Sequence, residues 1–280
     1  MYESAVATLS REAVVFRTPC GGGDLVWRRW GTGAPVVLCH GGSGSWTHWI
    51  RTIPALSRRY ELWVPDLPGL GDSAMPPKPW TPATSASILT AGLRQLVSPD
   101  RKVHLVGFSF GAHVATLAAV ELGDWLADFT IIGSAALGLP WHSLELPKER
   151  STMSAEERRA VHRRTLEILM FADPRRIDEE AIAIQMENIA KARFRSREFA
   201  ATDEIRTTLA RVTAPLRAIW GERDAIARPS VEACFDVLRL YHPELVTRTI
   251  PGAGHWVMYE APDAFNAALM ELLELPPNRA

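Results

Sequence analysis

The sequence has few cysteines and almost no net charge. Its 280 residues include Cys20, Cys39 and Cys234, and no two of them have the CxxC spacing of a redox or metal motif. An odd number of cysteines without such spacing predicts free thiols and a reducing, cytoplasmic compartment. The formal charge of −1 excludes a global field that would attract nucleic acid or an anionic membrane surface. We therefore expect neither a nucleic-acid nor a membrane partner.

We expect neither a membrane span nor a leader peptide nor a metal site from the sequence. An uncharged stretch at 31–50 is rich in Gly, Ser and His, which excludes a membrane-spanning helix. Glu3, Arg11 and Glu12 precede any long apolar run, so we expect no secretory signal. The chain contains no HExxH motif, and we expect no metal or cofactor and only a small-molecule substrate.

Short β-branched runs alternate with longer helical patterns through most of the chain. Residues 13–18 and 25–30 flank the turn signal CGGGD and predict a hairpin. Further predicted strands lie at 35–39, 61–65, 102–106, 129–132, 216–220 and 245–250. Predicted helices lie at 85–97, 110–122, 230–241 and 262–273. Alternation of this kind predicts an α/β fold with a mostly parallel, doubly wound sheet.

One segment, residues 138–211, breaks the alternation because it contains no clear strand pattern. It carries helical patterns at 155–170, 178–191 and 196–209. We interpret it as a helical insertion, or cap, between two strands of a core formed by residues 1–137 and 212–280. A cap of this kind is predicted to lie over the functional site, with Trp141 among the apolar side chains available to wall a pocket.

A serine lies in the motif GFSFG at 107–111, between the strand pattern KVHLV and an Ala-rich helix. This strand–turn–helix setting is the one that GxSxG requires for a nucleophile. The glycines allow a sharp turn, and the helix N-terminus favours developing negative charge. The sequence therefore predicts Ser109 as a nucleophile.

A serine hydroxyl needs a base near neutral pH, and the base needs an acid that orients it. His255 lies in GAGHW, a loop directly after the last strand pattern, and Asp224 lies in GERD, directly after LRAIW. Glu222 is the nearest rival for the acid, whereas Asp128 belongs to the opposite end of the sheet. We predict a triad of Ser109, His255 and Asp224.

The loop HGGSG at 40–44 follows the strand pattern PVVLC. Small residues let a backbone approach the substrate closely. We predict that the N–H groups of Gly42 and Phe110 stabilise an oxyanion. A phosphate-binding loop is the alternative, but the Lys-Ser/Thr of a P-loop is missing.

These motifs together resemble the α/β-hydrolase superfamily over nearly the whole chain. The matching pieces are HGGSGSW at 40–46, PDLPGLGDS at 65–73, GFSFG at 107–111, GERD at 221–224 and GAGHW at 252–256. The resemblance implies an eight-stranded core with a helical cap after the sixth strand. Haloalkane dehalogenases and epoxide hydrolases of this superfamily have Asp as nucleophile, so Ser109 argues against both chemistries.

Within the superfamily the chain is also similar to the meta-cleavage-product hydrolases, which cleave carbon–carbon bonds in diketo acids. Those enzymes have a Trp after the catalytic His, as in Trp256, and a cap Arg that binds a carboxylate, for which Arg193, Arg195 and Arg197 are candidates. The chain departs from them at Phe108, where they have Asn.

Four residues are predicted to contact substrate: Ser43, Phe108, Trp256 and Arg193. The sequence fits simple carboxylesterases equally well. Acyl transfer to an acceptor other than water and a ligand receptor that keeps the triad remain open.

Overall fold

Eight strands form the sheet in the computed structural model, which describes residues 4–140 and 143–276. The strands are β1 (Val14–Cys20), β2 (Gly23–Trp30), β3 (Ala34–Cys39), β4 (Tyr60–Pro65), β5 (Val103–Phe108), β6 (Leu126–Ile132), β7 (Leu216–Gly221) and β8 (Val246–Ile250). Each of the eight predicted strands is present, with ends that differ by at most three residues.

Ten α-helices lie within the same described residues. They are α1 (Ala5–Glu12), α2 (Ile53–Leu56), α3 (Pro82–Leu96), α4 (Phe110–Leu122), α5 (Ala155–Thr165), α6 (Glu179–Lys191), α7 (Glu204–Leu209), α8 (Val231–Arg239), α9 (Val257–Glu260) and α10 (Pro262–Glu274). The N-terminal helix α1 was not predicted. Its N-cap is Ser4, whose side chain accepts a hydrogen bond from the Ala7 N–H and so satisfies one free donor of the first turn.

The strands are arranged in the order β1-β2-β4-β3-β5-β6-β7-β8. Strand β2 is antiparallel to both of its neighbours, and all pairs from β4 to β8 are parallel. The predicted mostly parallel α/β sheet is therefore confirmed. Because parallel strands need crossover connections, helices cover both faces and the central strands are apolar on both sides.

Alternate residues of each central strand enter two separate cores. In β3, Val36 and Leu38 face one core together with Leu269 of α10, whereas Val37 and Cys39 face the other. This alternation is the period of two that a pleated strand imposes. Burial also raises the pKa of the Cys39 thiol, so the thiol remains protonated and acts as a small apolar group.

The helices α5, α6 and α7 lie between β6 and β7, within the segment that the sequence assigned to a cap. The predicted single helix at 196–209 is wrong, because the chain forms a 3-10 turn at Ser196–Phe199 and then α7. The backbone carbonyls of Ala200 and Thr202 accept hydrogen bonds from the N–H groups of Ala136 and Gly138. These tertiary bonds replace the intrahelical bonds that a continuous helix would need.

A buried ionic group joins the amino ends of three strands. Asp128 of β6 accepts a hydrogen bond from His104 of β5 at 2.5 Å and forms an ion pair with Arg217 of β7 at 3.0 Å. The side chains of Asp128 and Arg217 are only 1% and 3% exposed. Asp128 thus lies at the end of the sheet opposite to the site described below.

No helix in the described part of the chain, residues 4–140 and 143–276, is both long and apolar enough to cross a membrane.

Replacing Asp128 with Ala is expected to lower the free energy of unfolding by about 3–5 kcal/mol, because it leaves the buried Arg217 cation without its carboxylate partner. Urea denaturation measures the change. Asp24→Ala is the matched control, since Asp24 pairs with Arg17 on the surface and its loss should cost less than about 1 kcal/mol. A similar, small effect of both substitutions would contradict the proposed importance of the buried pair.

Candidate active site

Ser109 lies at a sharp turn between β5 and α4. Its backbone has φ +53° and ψ −120°, a conformation that costs a non-glycine residue free energy and persists only when its surroundings hold it. The surroundings are crowded, because a Cβ atom on Gly111 would lie 2.3 Å from the carbonyl oxygen of His40. The Ser109 N–H donates to the carbonyl of Ile132 at 2.8 Å. The turn is thus packed between β3 and β6, and the serine stands at the carboxyl edge of the sheet.

The structure brings the three predicted triad residues together. His255 Nε2 lies 3.0 Å from Ser109 Oγ, and His255 Nδ1 lies 2.9 Å from Asp224 Oδ2. Because a carboxylate accepts only, Nδ1–H donates to Asp224 and Nε2 is left to accept the serine proton. Both His255 and Asp224 are buried, which strengthens their interaction relative to a pair in water.

The rival acid, Glu222, has a different partner. Its carboxylate accepts the N–H of Gly252 at 2.7 Å, while Asp224 accepts the N–H of Ile226 as well as the bond from His255. Glu222 thus stabilises the loop that leads to His255 and makes no hydrogen bond to the imidazole.

A buried carboxylate that the sequence did not reveal holds the His255 loop. Glu260 accepts the N–H of Gly254 at 2.6 Å and, from the segment that follows α5, the N–H groups of Ala172 at 3.1 Å and Asp173 at 2.8 Å. Backbone donors of this kind compensate the cost of burying a carboxylate. The Glu260 side chain therefore joins the loop that contains His255 to the segment between β6 and β7.

A cavity of about 170 Å³ adjoins Ser109 and His255. Its far wall comes from the segment between β6 and β7, through Leu144, Leu146, Leu169, Met170, Arg197 and Phe199. The segment therefore covers the triad with mostly apolar side chains. Trp141, another residue that the sequence suggested for this wall, lies outside the described residues.

Of the four predicted substrate contacts, the structure places Ser43 and Phe108 in the cavity wall. Trp256 is a correction: it is completely buried, and its indole N–H donates to the carbonyl of His48. Arg193 is also a correction, because its guanidinium donates to the carbonyl of Ser73 and lines a neighbouring cleft.

Arg197 is the cap arginine that lines the triad cavity. Within residues 4–140 and 143–276 its guanidinium has no carboxylate or carbonyl partner, whereas the exposed Arg195 lies 3.5 Å from Glu198. Arg197 is an exposed residue as Arg195 is, yet partial loss of surrounding water lowers the pKa of its guanidinium. It remains a cation near neutral pH, so this side of the cavity carries a positive charge that no described residue pairs.

The two predicted oxyanion donors lie beside Ser109. Both Gly42 and Phe110 line the triad cavity. A Cβ atom on Gly42 would lie 2.2 Å from Ser196 Oγ and 3.4 Å from the Cβ of Phe110. A side chain at position 42 would therefore collide with its surroundings, because the loop after β3, helix α4 and the segment between β6 and β7 meet there.

Comparison with known proteins gives one family match over most of the chain. The family model described as "Alpha/beta hydrolase family" matches residues 36–268. Among solved structures, naproxen esterase (carboxylesterase NP) from Bacillus subtilis aligns with a TM-score of 0.75 at 17% identity and covers 96% of this chain and 97% of its own. That similarity concerns the fold.

Curated relatives cover nearly the whole chain at modest identity. An acetyltransferase component of the acetoin cleaving system of Pseudomonas putida is 29% identical over 90% of this chain and 67% of its own. Pimeloyl-[acyl-carrier protein] methyl ester esterase of Edwardsiella ictaluri is 28% identical over 89% and 97%. The 2-hydroxy-6-oxo-6-phenylhexa-2,4-dienoate hydrolase of Burkholderia cepacia is 24% identical over 87% and 88%.

A fluorophosphonate, which modifies activated serines, is expected to label Ser109, with peptide mapping as the measurement. His255→Ala and Asp224→Asn should slow this labelling at least about 10³-fold, because triad members act as a unit. Glu222→Gln is the matched control and should react at nearly the wild-type rate. Labelling of Ser43 instead, or full reactivity of Asp224→Asn, would refute the assignment.

Proposed function

The chain belongs to the alpha/beta hydrolase family and is an enzyme, and from this premise we propose that it hydrolyses a small carboxylic ester with Ser109 as nucleophile. The observation that carries the proposal is the continuous pair of hydrogen bonds, 3.0 Å from Ser109 to His255 and 2.9 Å from His255 to Asp224. The contacts link a hydroxyl, a base and an orienting acid in the order that acyl transfer requires.

In the first half of the reaction, Ser109 Oγ attacks the ester carbonyl carbon and its proton passes to His255 Nε2. The carbonyl oxygen becomes an oxyanion, which the N–H groups of Gly42 and Phe110 stabilise. Asp224 stabilises the imidazolium that has formed. The intermediate then collapses, the bond to the alkoxide breaks, and His255 protonates the departing alcohol.

In the second half, water attacks the acyl group on Ser109 while His255 removes a proton from the water. The second oxyanion uses the same two donors. Collapse breaks the bond to Ser109, which regains its proton from His255, and releases the carboxylic acid. The sum is ester plus water giving acid plus alcohol, with every protein group restored.

The substrate we propose is largely apolar and carries a carboxylate at one end. Most of the cavity wall that covers the triad is apolar, from Leu144, Leu169 and Phe199, and Arg197 supplies a cation. Arg197 is also exposed to solvent, and a substrate carboxylate can meet its guanidinium with two hydrogen bonds.

Carbon–carbon bond hydrolysis of a diketo acid is the second candidate. The unpaired Arg197 in the triad cavity favours it, as does similarity to the Burkholderia cepacia dienoate hydrolase. The residue before the proposed nucleophile, Phe108, argues against it. Phe108 is 1% exposed, and its ring centroid lies 4.9 Å from that of His255. An apolar ring at this position offers no hydrogen bond to a substrate. Ester hydrolysis is therefore better supported than carbon–carbon bond hydrolysis.

The proposed compartment is the cytoplasm. Cys20, Cys39 and Cys234 are all buried free thiols, and burial raises the pKa of Cys20 to about 11 and that of Cys234 to about 12. Unpaired thiols are typical of proteins that work under reducing conditions.

A panel of p-nitrophenyl esters of increasing acyl length, assayed beside one dienoic diketo acid, is expected to show steady multiple turnover of short and medium esters. The cavity of about 170 Å³ should make the rate fall for long chains. Faster turnover of the diketo acid than of every ester would favour carbon–carbon bond hydrolysis. Stoichiometric binding without turnover of any compound would contradict an enzymatic role.

Arg197→Ala should lower kcat/KM for an ester with a free distal carboxylate by about 10–100-fold, because a charge-assisted hydrogen bond contributes about 1.5–3 kcal/mol. For the corresponding neutral methyl ester the change should stay below about threefold. Arg195→Ala is the matched control, since Arg195 is exposed and lies beside Glu198. Equal losses for both substrates would exclude carboxylate recognition by Arg197.

A further inference from the structure

Gly41, the residue before the proposed oxyanion donor Gly42, is held by two buried histidines. His40 Nδ1 lies 2.8 Å from the Gly41 carbonyl oxygen, and the Gly41 N–H donates to His48 Nδ1 at 3.2 Å. His40 Nε2 accepts the N–H of Leu67 at 2.9 Å. Since Nε2 accepts, Nδ1 carries the proton in neutral His40 and donates to the carbonyl.

The second histidine is held in one protonation state. Burial lowers the pKa of His48 well below its usual value, and the neighbouring imidazoles of His40 and His255 lower it further. Neutral His48 that accepts a hydrogen bond at Nδ1 carries its proton on Nε2. The acceptor for the Gly41 N–H is therefore present near neutral pH.

The two contacts act on neighbouring peptide units. A trans peptide holds its C=O and N–H groups antiparallel in one plane, and the Gly41 carbonyl shares a plane with the Gly42 N–H. The bond from His40 to that carbonyl therefore directs the Gly42 N–H to the opposite side. The Gly41 N–H belongs to the preceding plane, which His48 holds. With both planes held, the wide conformational freedom of a glycine is removed at Gly41.

We propose that His48 is a positioning residue of the oxyanion hole: its Nδ1 holds the Gly41 N–H and thereby aims the Gly42 N–H at the oxyanion that forms on Ser109. The inference rests on the proposed function. His48 acts through the backbone of Gly41. The oxyanion donors remain the N–H groups of Gly42 and Phe110.

The imidazole ring also packs, with its centroid 5.6 Å from that of Phe108 and 5.1 Å from that of Trp256. Two substitutions separate packing from hydrogen bonding. Leu at position 48 fills similar space without an acceptor, so it leaves the buried Gly41 N–H unpaired. Asn at position 48 is smaller than His, but its Oδ1 can accept from the same N–H.

The test measures kcat and KM for the best p-nitrophenyl ester of the wild-type enzyme at one pH. His48→Leu is expected to lower kcat about 10–100-fold, somewhat less than the outright loss of an oxyanion donor, with KM changed less than about threefold. His48→Asn should stay within about fivefold of wild type because the acceptor is restored. His242→Leu is the control, since His242 contacts the Leu209 carbonyl away from the cavity.

Three results would overturn the proposal. One is a kcat for His48→Leu equal to that of wild type. Another is a loss in His48→Leu that His48→Asn shares in full, which would show that only ring packing matters. The third is a rise in KM at unchanged kcat, which would indicate direct substrate contact.

NMR spectroscopy tests the proposed role of His48 without a measurement of turnover. In the wild-type protein the imidazole nitrogen shifts should show His48 Nδ1 without a proton, and the Gly41 amide should exchange slowly. Exchange should become faster in His48→Leu and remain slow in His48→Asn. A protonated Nδ1 in wild type would refute the proposal even if His48→Leu does not fold. Failure of wild type to react with a fluorophosphonate would instead count against the proposed function alone.

Discussion

The site depends on one close packing contact, between the turn after β5 and the end of β3. Gly111 lies so near the carbonyl groups of Cys39 and His40 that no side chain fits between them. This contact holds the strained backbone of Ser109 and also sets the start of the loop that contains Gly42. Ser109 and the loop that contains Gly42 are therefore parts of a single packed unit.

The residues that could be predicted from sequence share one property: each directly follows a strand. Parallel strands end at a common edge, so Gly42, Ser109, Asp224 and His255 had to lie near one another once the strand patterns were identified. Short sequence motifs were enough to predict these residues: the glycines on either side of Ser109 and the GxGH motif that contains His255. The fold followed from the same alternation of apolar strands and helices.

Features that depend on tertiary partners could not be predicted. The alternating arginines at 193, 195 and 197 carry the same local signal, and what separates them is the Ser73 carbonyl, the Glu198 carboxylate and the cavity. Trp256 follows the base in sequence but is buried behind His48. Glu260 gives no signal in its own neighbourhood, because its hydrogen-bond donors include residues 172 and 173, far away in the chain.

The carboxylate of Glu260 has a consequence for the evolution and redesign of this chain. It accepts backbone N–H groups from the base loop and from residues 172 and 173 together. Suppose that recombination replaced the whole stretch between β6 and β7 with the corresponding stretch of a related protein. The buried Glu260 carboxylate would then lose two hydrogen-bond donors unless the new stretch supplied equivalent N–H groups. A crossover placed after residue 173 would keep those donors while exchanging α6, α7 and Arg197. The part of this segment that contains α6, α7 and Arg197 can thus diversify while the remainder is inherited together with the loop of His255.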